Sequence, residues 1–546
     1  MNKKLFVTIL ASVLAWGSAL ACTNLIVTRG ASTDGSNIVS YAADSHQLYG
    51  ALYHTPADTF GKNAMLSVFE WDTSRYLGDI PQVAKTYSTI GNMNEYQLII
   101  GETTYGGRSE LEDPEGRIDY GSLIYITLQR AKTAREAIDI IVKLANTHGY
   151  ASSGESFTIA DKDEIWIMEL IGKGPGRKGI VWVARRIPDG CISAHANHAR
   201  ITTFPKNDPE NCLYAEDVIS FAREMGYYNG SDEDFSFSDT YAPLDFSAMR
   251  GCEARVWSFF RRFADGMEAY EDYALGHNPA NRMPLWVKPN RKISPKDIFD
   301  MMRDHYEGTV MDMTTDIGAG GSKLPYRWRP MGFEVDGVEY VQERAIATQQ
   351  TGFWFVAQAR RDLPDPVGGI IWFGTDDAAT SPLTPIYCGS TKVPVCLSEK
   401  TGDILTYDER AMFWITNRIA QFAYLRYDYI GGEVRRVIDE WENAKLAEVA
   451  EMDARFSELS NEKKMKNAVT KYSVDTAQEL WQKWSNLDNY LMVKYIDGNI
   501  KKQDAEGKFL NNGHHPSQPA FPDQPGYSEK FLRAIADDNA VLEVVK

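Results

Sequence analysis

The sequence has few cysteines and no excess of positive charge. Six cysteines occur in 546 residues, none of them in a Cys-x-x-Cys pair or at a His/Cys spacing suited to zinc. This excludes a disulfide scaffold and gives no reason to expect a metal or another cofactor. The six are Cys22, Cys191, Cys212, Cys252, Cys388 and Cys396. Lys and Arg number 58 against 75 Asp and Glu, a net charge of −17. Because nucleic acids bind clustered cations, we do not expect nucleic acid as a partner.

Motifs of several enzyme classes are also missing. The chain has no Gly-x-Ser-x-Gly elbow of a serine hydrolase and no His-Glu-x-x-His of a zinc protease. His195-Ala196-Asn197-His198 lacks the (i, i+4) spacing of such a zinc pair. The glycines of Gly172-x-Gly174-x-Gly176 precede a predicted strand, whereas a phosphate loop leads into a helix N-terminus. We therefore interpret these glycines as a turn.

The sequence has no apolar run that is long enough to span a membrane. The most apolar run stands at the start, where Lys3 and Lys4 precede Leu5 to Trp16 and the small residues that end at Ala21. This order is typical of a signal peptide with an Ala-x-Ala cleavage site. The run has about 12 residues, below the roughly 20 that cross a bilayer. We therefore predict export to the periplasm or the exterior, with no stable membrane span.

Cleavage after Ala21 would make Cys22 the first residue of the mature chain. A thiol attacks as the thiolate, and its ordinary pKa of about 8.5 means that it needs a base. A terminal α-amine, with a pKa of about 7.7–8.0, is such a base and sits on the same residue. Export cleavage would then also activate the nucleophile.

Two other interpretations of Cys22 stay open. In bacterial lipoproteins the cysteine after the signal is lipidated, usually with Leu three residues before it, but that position here is Ala19, with Leu20 next. A predicted strand also follows Cys22 at once, without a flexible tether. A lipid-anchored, non-catalytic binding protein and a structural cysteine remain alternatives.

Hydrophobic patterning predicts hairpins of short strands followed by helices. Leu25–Val27 and Ile38–Ser40 flank an Asp-Gly turn, and Thr133 caps a helix that should end near His148-Gly149. Ser294 should cap another. Further predicted strands are Phe157–Ala160, Ile165–Met168, Ile180–Ala184, Glu339–Arg344, Gly352–Arg360 and Val367–Phe373. Strands grouped in this way favour an α+β fold with antiparallel sheets.

From about Asp408 the composition changes to Ala, Glu, Lys and Arg with apolar residues at helical spacing. The predicted helices there are Arg410–Tyr424, Glu433–Asn467 and Asp475–Lys494, and the Pro/Gly-rich stretch Asn511–Tyr527 should be a surface loop. We predict a signal peptide at 1–21, a catalytic domain at 22–400 and a helical C-terminal extension at 401–546 that packs on it. The oligomeric state is left open.

Four polar residues could join Cys22 in an acyl-transfer site. Such a site needs an orienting carboxylate, donors for the oxyanion and a cation for a substrate carboxylate. The four are Asp34, Asp44, Asn197 and Arg200. Each of them alone fits a capped turn or a satisfied surface group equally well.

An ordered series of motifs resembles the dipeptidase A-type cysteine peptidases of the N-terminal-nucleophile (Ntn) hydrolase superfamily, which also includes penicillin V acylase and bile salt hydrolase. The resemblance spans roughly Cys22 to Cys396. The motifs are Cys22-Thr23, Asp34-Gly35-Ser36, Asp44, Gly91-Asn92-Met93-Asn94-Glu95, Gly101-Glu102-Thr103-Thr104, Ala131-Lys132-Thr133-Ala134-Arg135-Glu136, His195 to Ile201 and Arg303 to Thr309.

The resemblance implies a four-layer αββα sandwich and metal-free hydrolysis of dipeptides. It implies that Cys22 is the nucleophile with its amine as base, that Asp44 orients the amine and that Asn197 donates to the oxyanion. Glu102 and Thr103 would lie near the pocket, where a carboxylate could meet a dipeptide's ammonium group. Arg200 lies within a matching motif and is our candidate for the substrate carboxylate.

One departure from the family stands close to the nucleophile. Relatives usually carry Arg-Asn shortly before the aspartate, whereas this chain has Tyr41-Ala42-Ala43. Arg29 or Arg200 could supply the missing cation. The function we expect is an exported cysteine dipeptidase, and the alternatives are an N-acyl amide hydrolase of the acylase type or the lipid-anchored relative.

Overall fold

The computed structural model describes residues 22–538 and 542–544. The predicted signal peptide at 1–21 lies outside the described residues. Two antiparallel sheets dominate the described chain, and helices pack against them. The predicted α+β class with antiparallel sheets is thus confirmed.

The strands are mostly short and occur in consecutive hairpins. They are β1 Asn24–Val27, β2 Asn37–Asp44, β3 His54–Thr55, β4 Asp58–Thr59, β5 Met65–Phe69, β6 Tyr76–Pro81, β7 Lys85–Thr86, β8 Thr89–Ile90, β9 Met93–Asn94, β10 Ile99–Gly106, β11 Gly154–Ala160, β12 Ile165–Gly172, β13 Ile180–Arg186, β14 Ile192–His195, β15 Cys212–Tyr214, β16 Trp286–Val287, β17 Gly332–Val335, β18 Val338–Val341, β19 Thr351–Ala359, β20 Gly369–Thr375 and β21 Thr384–Tyr387. The predicted strands are all found, with ends that differ by a few residues.

The helices are short in the first part of the chain and long near its end. They are α1 Tyr120–Leu128, α2 Ala134–His148, α3 Val218–Glu224, α4 Phe237–Tyr241, α5 Ala254–Phe263, α6 Glu271–Ala274, α7 Pro295–Met301, α8 Asp365–Gly368, α9 Met412–Leu425, α10 Tyr427–Ser457, α11 Glu462–Tyr495 and α12 Glu529–Asp538. A π-helical turn, Ala248–Glu253, leads directly into α5.

The larger sheets have seven and eight strands. The first has the order β16-β14-β1-β2-β19-β20-β21, and the second the order β15-β13-β12-β11-β10-β9-β8-β3. The predicted hairpin forms, because β1 and β2 pair antiparallel across a turn in which Gly35 has φ +72°. Only glycine adopts such a φ without steric cost. Cys22 therefore lies just before a central strand of the first sheet.

Alternate residues of β1 contact different hydrophobic clusters. Ile26 packs in the cluster that contains the second sheet and α1, whereas Leu25 and Val27 pack in the cluster that contains α5. This follows from the two-residue period of a strand, since successive side chains point to opposite faces. The first sheet is thus buried on both faces.

Buried hydrogen bonds join the two sheets directly beside Cys22. His195 on β14 has Thr103 Oγ1 2.7 Å from Nδ1 and Thr158 Oγ1 2.7 Å from Nε2, so it bridges to β10 and β11. Asn24 Nδ2 donates to the Glu102 carbonyl oxygen at 2.6 Å. These contacts fix β10 over the start of β1, and Glu102 thereby comes next to the Cys22 sulfur.

The predicted helix caps are confirmed, but the helical boundaries of the C-terminal part are not. Thr133 and Ser294 accept from the backbone of the first turns of α2 and α7, and α2 ends at His148 before Gly149. The single helix predicted over Glu433–Asn467 is wrong, because the chain breaks after Ser457 and α11 begins at Glu462. Asn461, with extended backbone, accepts from the Lys464 N–H and starts the new helix.

The long C-terminal helices contact the first sheet and one another. α11 lies against β21 and α9, and α10 contacts α11 and α8. Glu442 of α10 forms a fully buried ion pair with Arg303 at 2.6 Å. Among the described residues, no helix is both long and apolar enough to cross a bilayer.

Candidate active site

Cys22 is a buried thiol in a polar setting. It is 2% exposed, and its Sγ lies 3.3 Å from Glu102 Oε1 and 3.7 Å from the Tyr41 hydroxyl. Burial raises the pKa of the Cys22 thiol well above its ordinary value, and the charges of Glu102 and Asp44 raise it further. Because the thiolate is disfavoured, attack by this sulfur needs a base that removes the proton as the bond forms.

Asp44 ends β2 beside Cys22 and is fully buried. Its carboxylate accepts from Arg344 Nη2 and, at 2.6 Å, from Thr351 Oγ1. Burial raises the pKa of Asp44, while the charge of Arg344 and the bond from Thr351 lower it. The structure therefore brings Asp44 to Cys22 and holds its carboxylate in place with the half-buried cation of Arg344.

Arg255 is a functional candidate that sequence reasoning missed. It comes from the first turn of α5, is 1% exposed, and its Nη1 donates to the Cys22 carbonyl oxygen at 2.7 Å and to Thr23 Oγ1 at 2.8 Å. Its Nη2 donates to Asn197 Oδ1 at 2.9 Å and to the Ala196 carbonyl at 3.1 Å. One guanidinium thus links the predicted nucleophile Cys22 to the predicted oxyanion donor Asn197. In the sequence, Arg255 is one of three arginines in α5, and no local pattern singles it out.

Asn197 lies in the turn after β14, with its backbone in the left-handed region at φ +60°. Asparagine tolerates this conformation better than most residues. Its Nδ2 donates to the Thr104 carbonyl at 2.7 Å while Oδ1 accepts from Arg255. The side-chain amide is therefore fixed by contacts from β10 and α5, and Asn197 lines a cavity next to the pocket that reaches Cys22.

Glu102 and Thr103, adjacent in sequence, have different surroundings. Glu102 is 1% exposed, and its Oε1 accepts from the Tyr41 hydroxyl and the Cys22 thiol. Its Oε2 and Glu155 Oε1 are buried, and the two carboxyls share a hydrogen bond. Burial raises the pKa of both carboxyls. Thr103 instead forms the hydrogen bond to His195 that joins the two sheets. Of these two residues, only Glu102 reaches the thiol.

The structure does not bring Arg200 or Arg29 to the Cys22 sulfur. Arg200 forms an ion pair with Glu253 at 2.8 Å and donates to the backbone carbonyls of three further residues. Those residues are Ala194, Pro284 and Leu285. Arg29 lies in the β1–β2 connection, where its N–H donates to Asn37. Arg255, which binds the Cys22 carbonyl, and Arg344, which binds Asp44, are the cations that the structure brings near Cys22.

Asp34 also lies apart from Cys22. Its Oδ1 accepts from Ser36, and its Oδ2 accepts from Gln358 Nε2 at 2.7 Å. These bonds are those of an Asx-type turn tied to β19. Asp34 thus holds the β1–β2 turn.

Two adjoining cavities lie near the thiol. A narrow pocket reaches Cys22 itself, and a larger cavity of about 590 Å³ lies beside it. Asp72 and Tyr120 line both of them, and the Tyr120 hydroxyl donates to Asp72 Oδ1 at 2.9 Å. The narrow pocket is lined by Cys22, Tyr41, Ala43, Asp44, Ser45, Leu48, Trp71, Asp72, Glu102 and Tyr120. The larger volume is in the range of small-molecule sites.

Metal-ligating groups cluster at one place among the described residues. Asp300, Asp439 and Glu442 offer oxygen atoms within 4.8 Å of one another. Lys296 already binds all three carboxylates, and Arg435 binds Asp300 and Asp439. These cations neutralise the cluster, so its donor set does not fit a metal ion.

A buried thiol flanked by carboxylates, with an amide and a guanidinium fixed beside it, has the parts of a thiol-dependent acyl-transfer site. Comparison with known proteins agrees with this class. The profile of peptidase family C69 matches residues 21–440. The chain belongs to this family and is a hydrolase that acts on peptide bonds, which confirms the resemblance seen in the sequence.

Similar proteins include three curated bacterial relatives. "Dipeptidase A" of Lactobacillus helveticus is 24% identical over 449 residues, 78% of this chain and 86% of the relative. "Probable dipeptidase B" of Streptococcus pyogenes serotype M1 is 23% identical over 534 residues, 93% of this chain and 99% of the relative. "Probable dipeptidase" of Latilactobacillus sakei is 23% identical over 451 residues, 78% of this chain and 86% of the relative.

Proposed function

We propose that this chain is an exported dipeptidase whose nucleophile is Cys22, exposed as the first residue when residues 1–21 are removed. The observation that carries the proposal is the convergence of Asp44 and Arg255 on Cys22, with Asn197 bound to the same Arg255 guanidinium. The names of the relatives support dipeptides as substrates. The family match begins at residue 21, so the shared region begins next to Cys22.

The proposed reaction begins with the α-amine of Cys22 as base. The amine takes the thiol proton while the sulfur attacks the scissile carbonyl carbon, and Asn197 donates to the resulting oxyanion. The ammonium then gives its proton to the leaving amine as the C–N bond breaks, which leaves a thioester. A water molecule, deprotonated by the same amine, attacks the thioester and releases the acid and the free thiol.

The surrounding residues keep these groups in position. Asp44, held by Arg344 and Thr351, orients the amine and stabilises its protonated form. Arg255 is a positioning residue, because it hydrogen-bonds to both the Cys22 carbonyl and the Asn197 amide and so fixes their relative position. Glu102 lines the pocket where a dipeptide ammonium would bind. Arg200 would act through Glu253 rather than on the substrate.

The proposal includes the fold family and the domain arrangement. The first sheet has α5 on one face and the second sheet on the other, and α1 and α2 share the cluster of the second sheet. These contacts support a four-layer αββα sandwich of the Ntn type at 22–400. The helices at 401–546 would be an extension packed on it.

Two measurements test the proposal. Mass spectrometry of the protein purified from an exporting host should find a mature chain that starts at an unmodified Cys22. A lipidated Cys22, globomycin-sensitive processing and partitioning into detergent would instead support the anchored relative. The Cys22→Ser variant should lose several orders of magnitude in kcat/KM on dipeptides. A mature start elsewhere, or full activity of this variant, would overturn the mechanism.

The acylase alternative differs in substrate and not in nucleophile. A panel of dipeptides, penicillin V and conjugated bile acids separates the two. Cys22-dependent cleavage of the dipeptides alone supports the proposal, whereas cleavage of the N-acyl amides alone would replace it with the acylase function.

A further inference from the structure

The larger cavity beside Cys22 has an unusual distribution of charge. Four carboxylate residues line it, and no lysine or arginine is among its described lining residues. The four are Glu70, Asp72, Glu112 and Asp245. Histidine does not balance them, because burial lowers the pKa of His198, which also lines the cavity, to about 4. At neutral pH the cavity wall is therefore anionic.

Three of these carboxylates have no ion-pair partner within the described part of the chain. Glu70 binds Arg75 at 3.1 Å, but Asp72, Glu112 and Asp245 form no salt bridge there. Asp72 accepts from the Tyr120 hydroxyl and Asp245 from the Ala248 N–H at 2.7 Å. Both donors are neutral groups, so the charges persist. A concave surface with one sign of charge concentrates ions of the other sign.

The anionic surface continues to the nucleophile. Asp72 and Tyr120 line both cavities, and Glu102, whose carboxyl shares a hydrogen bond with the buried Glu155 carboxyl, lines the narrow one. An ammonium group on the substrate is a donor of the right charge.

We infer that this cavity is a cation-selecting subsite, and that the preferred substrates are dipeptides with a free α-ammonium group and a lysine or arginine side chain. The inference rests on the proposed dipeptidase function and adds its substrate class. Dipeptides with an acidic side chain, and N-acylated compounds that lack the ammonium, are poor substrates. The cavity volume of about 590 Å³ leaves room for a long basic side chain.

The test compares Lys-Ala, Ala-Ala and Glu-Ala on the mature chain. We expect kcat/KM to fall in that order, by roughly 3- to 10-fold per step, since each partly exposed charge pair has a modest effect. The order should weaken at about 0.5 M salt, because the Debye length is then well under ~10 Å and interactions between exposed charges farther apart than this length are largely screened. Equal values, or a preference for Glu-Ala, would overturn the inference.

Variants connect the preference to the cavity. The double variant Glu112→Gln/Asp245→Asn should lower the ratio of Lys-Ala to Ala-Ala kcat/KM. Glu458→Gln and Glu506→Gln are matched controls, because both residues are exposed and neither lines the cavity. These controls should keep the parent ratio. An unchanged ratio in the double variant would contradict the assignment of the cavity.

Binding measurements keep the two proposals separable. Calorimetric titration of the Cys22→Ala variant with the same three dipeptides measures the preference without any chemistry. If the wild-type chain hydrolyses no dipeptide but this variant still binds Lys-Ala more tightly than Glu-Ala, the proposed function fails and the subsite stands. Cys22-dependent hydrolysis without a preference in binding leaves the function intact and rejects the subsite.

Discussion

Arg255 Nη1 donates to the carbonyl oxygen of Cys22 at 2.7 Å across a sequence separation of 233 residues. The same guanidinium reaches Asn197, so one side chain from α5 joins the residue before β1 to the turn after β14. Arg255 also lies among other charged groups, and the charge of Arg344 lowers its pKa in addition to burial. Several predictions depend on this region of buried polar contacts.

Replacement of Arg255 should affect activity and stability together. In Arg255→Met, the buried acceptors of Cys22, Ala196 and Asn197 lose their donor, and each orphaned group costs about 1–3 kcal/mol. We expect unfolding in urea at clearly lower concentration and a kcat reduced by at least about 100-fold. The control is Arg436→Met on α10, whose side chain is 58% exposed and pairs with the exposed Glu440, and which should change both little. An Arg255→Met variant with wild-type kcat would contradict the positioning role.

Removal of the charge on Glu102 should make the thiol more acidic. Glu102 is the largest electrostatic cause of the raised Cys22 pKa after burial. In Glu102→Gln the pKa of Cys22 should therefore fall, and alkylation by iodoacetamide at neutral pH should become faster. The rate measured against pH, with Glu506→Gln as control, checks this. A profile that shifts to higher pH would show that the carboxylate assists the thiolate.

Selectivity for basic dipeptides should be lost in mild acid. Asp72 is an exposed residue whose carboxyl lies among packed groups, and this partial burial raises its pKa to about 6. The Tyr120 hydroxyl bond lowers the pKa, whereas Glu102, Asp119 and Glu70 raise it. As pH falls through about 6, Asp72 becomes neutral and the ratio of Lys-Ala to Ala-Ala kcat/KM should decrease.

The Asp72→Asn variant isolates this titration. In this variant the ratio of Lys-Ala to Ala-Ala kcat/KM should be low at pH 7, and it should change less between pH 7 and 5 than the ratio of the parent chain. Ratios measured over this range in both proteins decide the matter, and an identical pH dependence would assign the loss of selectivity to another group.

His195 should make the fold sensitive to acid. It is fully buried between Thr103 and Thr158, and burial lowers its pKa to about 3. An unfolded histidine has a pKa of about 6.5, so protons bind the unfolded chain first as pH falls below that value. The free energy of unfolding should then decrease by up to about 1.4 kcal/mol per pH unit from this residue.

The His195→Gln variant tests that contribution. It retains a donor and an acceptor for the two threonines but cannot titrate. Its stability curve between pH 6.5 and 4 should be flatter than that of the parent, even if the variant is less stable at pH 7. Urea titrations at several pH values measure both curves, and parallel curves would contradict the assignment.

Much of the local structure could be predicted from the order of residues. The Asp-Gly turn between β1 and β2 and the caps at Thr133 and Ser294 depend on neighbours only a few residues away. The apolar spacing continues through the break between α10 and α11 and therefore does not predict it. The new helix begins because the Asn461 side chain accepts from the Lys464 N–H. Helix caps and turns are short-range events, and periodicity alone does not reveal where two helices meet.

The sequence predicts only part of the candidate site. The sequence singled out Cys22, Asp44, Asn197 and Glu102, and the tertiary structure brings them to the thiol or to the cavities beside it. The sequence predicts Arg200 at the substrate, but Arg200 lies in an ion pair with Glu253, and the sequence does not indicate Arg255. One buried arginine among the three of α5 carries no local pattern that names its partner.

The order of residues alone indicates a cysteine that follows a short apolar run, an excess of acidic residues and strands that pair in hairpins. Only the tertiary structure decided which charges meet the sulfur and which cavity they line. The physical reason is range: strand and helix periodicity reflects neighbours within a few residues, but the pKa of Cys22 depends on burial and on carboxylates such as Glu102, 80 positions away.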